Sequence, residues 1–212
     1  MEPANPNGID VSHYQGDINW AQVAEGGIVY AMIKASQGSS YVDPMFATNW
    51  NGAKTSGLQR GAYHYFMPTD SFIQQADLLT NCLNSVSYDA NTDMLPAIDC
   101  EELDGCSPAT YSYALAQLLQ LLERQLGVKP MIYASPGFWS SIRNPDFTEY
   151  PLWLADYTDN QAPTIPEPWT EYALWQYSNS GSIDGIEGAV DLDRCPEATG
   201  LPKRNQTKLN WF

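Results

Sequence analysis

Leu95-Pro96-Ala97-Ile98-Asp99-Cys100-Glu101-Glu102 carries the first clue to the architecture of this 212-residue chain. An apolar run passes directly into acidic residues. Strand side chains alternate between faces, so Asp99 and Glu101 share one face and Cys100 takes the other. In a closed parallel sheet, the C-terminal strand ends gather on one face of the barrel, and reactive groups collect there. Two carboxylates held at such a place repel, which raises the proton affinity of at least one. A carboxylic acid that keeps its proton is what protonation of a glycosidic oxygen requires. Taken alone, the stretch also reads as a solvated acidic loop after a strand.

Short β-branched and aromatic runs recur on both sides of it. They predict eight strands, at 8–12, 28–35, 61–66, 94–100, 130–134, 152–155, 172–177 and 189–192. Helical patterns at 19–25, 44–56, 71–84 and 108–126 lie between the earlier strands. The clearest is the last: Ser107 caps it, Pro108 opens it, Gly127 stops it, and Tyr111, Leu115, Leu118, Leu119, Leu122 and Leu126 form its apolar stripe. Pro163, Pro166 and Pro168 exclude a long helix over 158–170. Turn signals at 179–181 and at Asp184-Gly185 predict a hairpin between the last two strands. The fold class is therefore α/β: a flattened, irregular TIM-like barrel of about eight strands with fewer helices and a β-only closing section.

Other strand ends repeat the acidic pattern. Asp10 ends the first strand in Gly8-Ile9-Asp10-Val11-Ser12, and Asp191 and Asp193 share one face of the last. For the latter two, an Asp193–Arg194 pairing or a capping role is the plain alternative. Acids at separate strand ends converge in a barrel mouth, which is more specific than any one of them. Tyr63 and Tyr65 share a face in Gly61-Ala62-Tyr63-His64-Tyr65-Phe66, with His64 opposite as a structural histidine. Tyr133, Trp153, Trp175 and Tyr177 lie near further strand ends. Aromatic faces beside carboxylates suit a sugar chain, although each also suits a core.

Composition excludes much else. Apolar residues at 43% are ordinary for a packed core. A net charge of −15 opposes binding to nucleic acid or to anionic lipid. The C-terminal 17 residues hold Lys203, Arg204 and Lys208 against Glu197 alone, so 196–212 reads as a basic wrap or linker. No run is long and apolar enough to insert in a membrane, and the polar, acidic start does not resemble a signal peptide. Four cysteines without a C-x-x-C pair, and two distant histidines, argue against a metal site. Cys82, Cys100, Cys106 and Cys195 permit three disulfide pairings, with free thiols as the alternative. A bond at Cys100 would couple the acidic pair to redox state. No Walker loop, G-x-G-x-x-G cradle or G-x-S-x-G elbow is present, and no cofactor is expected; Ala134-Ser135-Pro136-Gly137 does not fit the elbow.

Several segments in register resemble the glycoside hydrolase family 25 lysozymes, the Chalaropsis-type muramidases. They are Gly8-Ile9-Asp10-Val11-Ser12 with Tyr14-Gln15-Gly16, Ile33-Lys34-Ala35-Ser36-Gln37-Gly38, Gly61 to Phe66, Pro96 to Glu101, Ile132-Tyr133, Leu152-Trp153-Leu154-Ala155, Leu174-Trp175-Gln176-Tyr177, and Gly185-Ile186-Glu187-Gly188 before Val190-Asp191-Leu192. The resemblance covers about residues 7–194 and implies a catalytic domain over 1–195 with 196–212 as its tail. It implies cleavage of the β-1,4 bond between N-acetylmuramic acid and N-acetylglucosamine in peptidoglycan. Glu101 is then the general acid, Asp99 its partner, and Asp10 and Asp191 complete the cluster; Tyr63, Tyr65, Tyr133, Trp153 and Gln176 line the groove. In the family, configuration is thought to be retained with the substrate's N-acetyl group as nucleophile. Gln37 stands where an acidic residue is frequent and Asp193 where Asn is frequent.

Two other functions compete. A family 18 chitinase on a similar barrel wants a further Asp two residues before the Asp-x-Glu pair, where this chain has Ala97. A non-catalytic glycan-binding module would use the same acids only as hydrogen-bonding groups. The expected partner is the peptidoglycan glycan strand, and the expected place of action is outside the cytoplasm. A phage endolysin, a secreted enzyme and an interbacterial toxin domain all fit. The toxin reading adds a cognate immunity protein, and an acidic lysozyme calls for a delivery or targeting module. The start just before Gly8 favours a domain excised from a longer protein.

Overall fold

The computed structural model describes residues 7–158, 160–196 and 200–204. Among the described residues, nine strands and five α-helices follow one another: β1 (Asn7–Val11), a 3-10 turn (His13–Gln15), α1 (Trp20–Glu25), β2 (Ile28–Gln37), β3 (Tyr41–Val42), α2 (Phe46–Thr55), β4 (Gln59–Tyr65), α3 (Phe72–Ser85), β5 (Ala97–Asp99), α4 (Pro108–Leu126), β6 (Met131–Ala134), α5 (Pro136–Ser141), β7 (Leu152–Ala155), β8 (Leu174–Gly181) and β9 (Val190–Arg194). Eight strands close into a barrel. β1, β2, β4, β5, β6, β7 and β8 run parallel, and β9 closes the ring antiparallel to both β8 and β1. The two-residue β3 only extends the end of β2. The last hairpin is present, but 179–181 belongs to β8 and not to its turn.

Strand alternation builds two cores. Ile9 and Val11, Ala31 and Ile33, Ile98 and Cys100, Ile132 and Ala134, and Leu152 and Leu154 point outward, where they meet the helices. Tyr30 and Met32, Ala97, Met131, Trp153 and Leu174 point inward and fill the barrel. Gly8 belongs to this inner packing: a Cβ there would stand 2.1 Å from the Tyr30 ring. Below the mouth the barrel is therefore a solid core and not a channel.

Three further expectations need correction. The strand expected over 94–100 is only Ala97–Asp99, because Pro96 has no N–H and the residues before it are held elsewhere. Met94 N donates to Arg60 O, and Leu95 N donates to Pro202 O, so the start of the tail lies against the barrel's lower end. α5 was not expected, although Ser135 and Pro136 repeat the signature of α4; Ser135 Oγ accepts from Phe138 N at 3.1 Å. All four cysteines are free, so the disulfide at Cys100 is not realised. Cys100 is buried in the outer core and Cys195 in the inner one, with the sheet between them.

Candidate active site

The inward positions at the upper strand ends are polar where those below are apolar. Asp10 on β1, Lys34 on β2, Tyr63 and Tyr65 on β4, Asp99 on β5, Tyr133 on β6, Trp153 on β7, Gln176 on β8 and Asp191 on β9 all line one cleft, as does Glu101 just past β5. Its volume is about 350 Å³. Every site residue expected from sequence is thus brought together. A second depression of about 560 Å³ shares Glu101, Tyr133 and Tyr157 with the cleft and continues toward Phe138 on α5. Glu101 therefore stands between two confluent hollows.

Cross-strand register sets the details. Tyr65, Asp99, Tyr133 and Trp153 lie on one continuous rung from β4 to β7. Asp99 is buried, and its Oδ1 has no hydrogen-bond partner among the described residues. Burial, then the Glu101 charge, push the Asp99 carboxyl well above its ordinary range, and Lys34 opposes the rise. Glu101 lies at the open side of the site. Partial desolvation raises its proton affinity, with Glu102 and Asp191 acting in the same sense; the Tyr133 hydroxyl and Lys34 act against it.

Gln176 ties the opposite wall together. Its Oε1 accepts from the Tyr133 hydroxyl at 2.8 Å and from the Tyr157 hydroxyl at 2.6 Å, and its Nε2 donates to Asp10 Oδ2 at 2.6 Å. Asp10 pairs directly across β1 and β9 with Asp191. Burial, then the charges of Asp193 and Asp191, push Asp10 well above the usual carboxylate range. Burial also raises Asp191, and hydrogen bonding to Asp10 limits that rise. Among the described residues, no group of three or more His, Cys, Asp or Glu is placed to hold a metal ion.

Some expectations find a different role. Trp153 is 1% exposed; its ring packs edge-on against Tyr133 at 4.8 Å between centroids, and its Nε1 donates to Asp193 Oδ1 at 2.7 Å. It supports the cleft wall more than it offers a face to a ligand. Asp193 does not pair with Arg194, whose guanidinium stacks on the Trp175 and Tyr177 rings on the other side of the strand. His64 is structural as expected. It is buried between Ser36 Oγ (2.8 Å from Nδ1) and Gln75 Oε1 (3.0 Å from Nε2). Gln75 Nε2 donates to the Met67 and Asp70 carbonyls, so Gln75 Oε1 accepts and His64 carries its proton on Nε2.

Sequence reasoning gave no role to Lys34 or Tyr157. Lys34 is nearly buried, donates to Gln37 Oε1 at 2.9 Å and sits 5.0 Å from the Tyr65 ring centre. Its signal was an inward strand position. Tyr157 follows Trp153 and Ala155 at the same two-residue period, just past the end of β7.

Comparison with known proteins identifies the family and the fold. The model of Glycosyl hydrolases family 25 matches residues 9–186. The chain is 37% identical over 192 residues to the uncharacterized protein YegX of Escherichia coli strain K12, covering 88% of this chain and 68% of that protein. It is 31% identical to the N,O-diacetylmuramidase of Chalaropsis sp., covering 87% of this chain and 95% of that one. The crystal structure of a bacterial lysozyme from Streptomyces coelicolor superposes with a TM-score of 0.80 at 28% identity, over 92% of this chain and 93% of that one.

Proposed function

The chain belongs to Glycosyl hydrolases family 25, and from that premise we propose that it is a muramidase cleaving the β-1,4 bond between N-acetylmuramic acid and N-acetylglucosamine in peptidoglycan. The observation that carries this reading is the Asp99–Glu101 pair. Both carboxyls hold protons more tightly than usual, and Glu101 stands between two joined hollows. A glycan lying along both hollows presents one of its linkages to Glu101.

Glu101 gives its proton to the glycosidic oxygen as the bond to C1 breaks. The unpartnered Asp99 Oδ1 accepts from the acetamido N–H of the sugar on the donor side. That hydrogen bond aims the acetamido oxygen at C1, and the two form a bond as the leaving sugar departs. Water then opens this intermediate, losing its proton to the Glu101 carboxylate, which returns the acid to its starting state. Tyr133 flanks Glu101, and its one hydroxyl proton, held on Gln176 Oε1 while Glu101 is protonated, turns to the carboxylate once Glu101 ionises. The place of action in this reading is the cell wall, outside the cytoplasm. A net charge of −15 supplies no long-range attraction to an anionic wall, so a delivery or wall-binding module brings the enzyme to its substrate. Should that delivery be into a competitor, an immunity protein is the matching partner.

Mass spectrometry of muropeptides released from purified peptidoglycan tests the reaction. The expected products end in reducing N-acetylmuramic acid, and Glu101→Gln lowers their rate of release by about 10²–10⁴-fold with the fold intact. Reducing N-acetylglucosamine ends would overturn the bond assignment, and wild-type activity in the variant would overturn the acid. Glycan binding without release of reducing ends would favour a binding module.

A further inference from the structure

Asp193 is the most deeply buried carboxylate at the mouth, with no measurable exposure. Its Oδ1 is occupied by the Trp153 indole, while its Oδ2 is buried and receives a hydrogen from no described donor. The group within hydrogen-bonding reach is another carboxylate, Asp10, which is itself nearly buried. Two adjacent carboxylates at that depth do not both ionise unless a cation joins them. None does. Arg194 turns to the other face of β9 and stacks on Trp175 and Tyr177. Lys34 acts on Asp99 and Glu101 across the cleft. The other titratable groups facing the pair are Asp191 on β9, which also hydrogen-bonds Asp10, Tyr30 on β2, Tyr63 on β4, Tyr133 on β6, Tyr157 past β7 and Cys195 after β9, and each adds negative charge or none.

We infer that Asp193 is a positioning residue that shares a single proton with Asp10 and thereby holds the Gln176 hub in place. The shared proton lets the two carboxyls lie together, and Asp10 Oδ2 stays set to accept from Gln176 Nε2. Gln176 Oε1 in turn fixes Tyr133 and Tyr157 beside Glu101. Loss of the proton leaves two buried anions in contact, separates them, and loosens that chain. Burial raises both carboxyls, Asp193 to about 7 and Asp10 well above the usual carboxylate range, so the pair keeps a proton at neutral pH and loses it only on the alkaline side. The consequence for catalysis rests on the muramidase reading above; the shared proton itself does not.

Asp193→Asn is the test, because an amide keeps an acceptor for Trp153 and offers Asp10 a donor that does not titrate. Infrared difference spectra of wild type minus Asp193→Asn at pH 6 should show the carbonyl band of a protonated carboxylic acid that disappears as the pH is taken to the alkaline side. Thermal unfolding should show the wild type losing stability, relative to the variant, as pH rises from about 4 to about 7, since the folded state binds the proton more tightly than the unfolded one. On peptidoglycan, the ratio of variant to wild-type kcat should rise severalfold from pH 5 to pH 8. Asp193→Leu, which fills the space without a hydrogen bond, should lower kcat at every pH. No protonated-carboxyl band together with a flat stability difference would overturn the shared proton. A band together with a pH-independent kcat ratio would overturn the positioning role. If no variant and no wild type cleaves peptidoglycan, the muramidase reading fails while the spectra still decide the proton.

Discussion

The two walls of the cleft each carry a group of carboxylates, and they are built in opposite ways. Asp99 and Glu101 on one wall have Lys34 nearby, an unpartnered oxygen and an opening to solvent. Asp10, Asp191 and Asp193 on the other have no cation; Trp153 and Gln176 hold Asp193 and Asp10 from behind. The first wall leaves its hydrogen-bonding capacity free for a ligand. The second turns its capacity inward, with Asp193 Oδ2 buried beside Asp10 and Asp10 holding Gln176, and so positions the aromatic hydroxyls. Similar residues at equivalent strand ends thus acquire different chemistry from depth and from the sign of the nearest charge.

Exchanging Asp for Asn on each wall breaks or sharpens that contrast. Asp99→Asn keeps an acceptor but removes the ionisable carboxyl that faces the reacting sugar, and should lower kcat by about 10²–10³-fold. Asp10→Asn keeps a hydrogen-bonding group where half the charge is already neutralised, and should cost about tenfold, the worth of about one hydrogen bond. Steady-state kinetics on the two variants compare them directly, and equal losses would erase the distinction.

Behind the site, His64 provides a buried titratable group outside both walls. Burial lowers it to about 4, below its ordinary 6.5. The unfolded chain therefore binds the proton first, and stability falls as pH drops from about 6.5 to about 4. The fall attributable to His64 is about 3 kcal/mol. Urea unfolding across that range should show His64→Gln losing less stability than the wild type. The smallest effect is expected from Lys34→Met. Without the cation, Asp99 and Glu101 hold their protons to higher pH, so the alkaline limb of the activity profile should move upward, read from kcat against pH.

Much of this was legible in the chain. The two-residue period that separates Ile98 and Cys100 from Ala97, Asp99 and Glu101 is a property of any strand, and it identified the inward face correctly. Ser107-Pro108 and Gly127 bounded α4 correctly, because capping is settled within a few residues of sequence. Ser135-Pro136 bears the same signal, yet a six-residue helix has too short an apolar stripe to announce itself. β5 was overextended because Leu95 and Met94 are as apolar as a strand, yet their N–H groups go to the tail and to β4. Trp153 was expected at the ligand because an aromatic at a strand end reads the same from either side; only its 1% exposure separates a wall from a platform.

Local order therefore established the strands, the caps, the inward face and the acidic strand ends, because each depends on spacing within a few residues. The tertiary structure decided what those acids are. Whether a carboxylate is free, shared or neutral depends on burial and on the nearest donor, and those are set by residues brought from far along the chain. Asp10 meets Gln176 across 166 positions, and Trp153 meets Asp193 across 40.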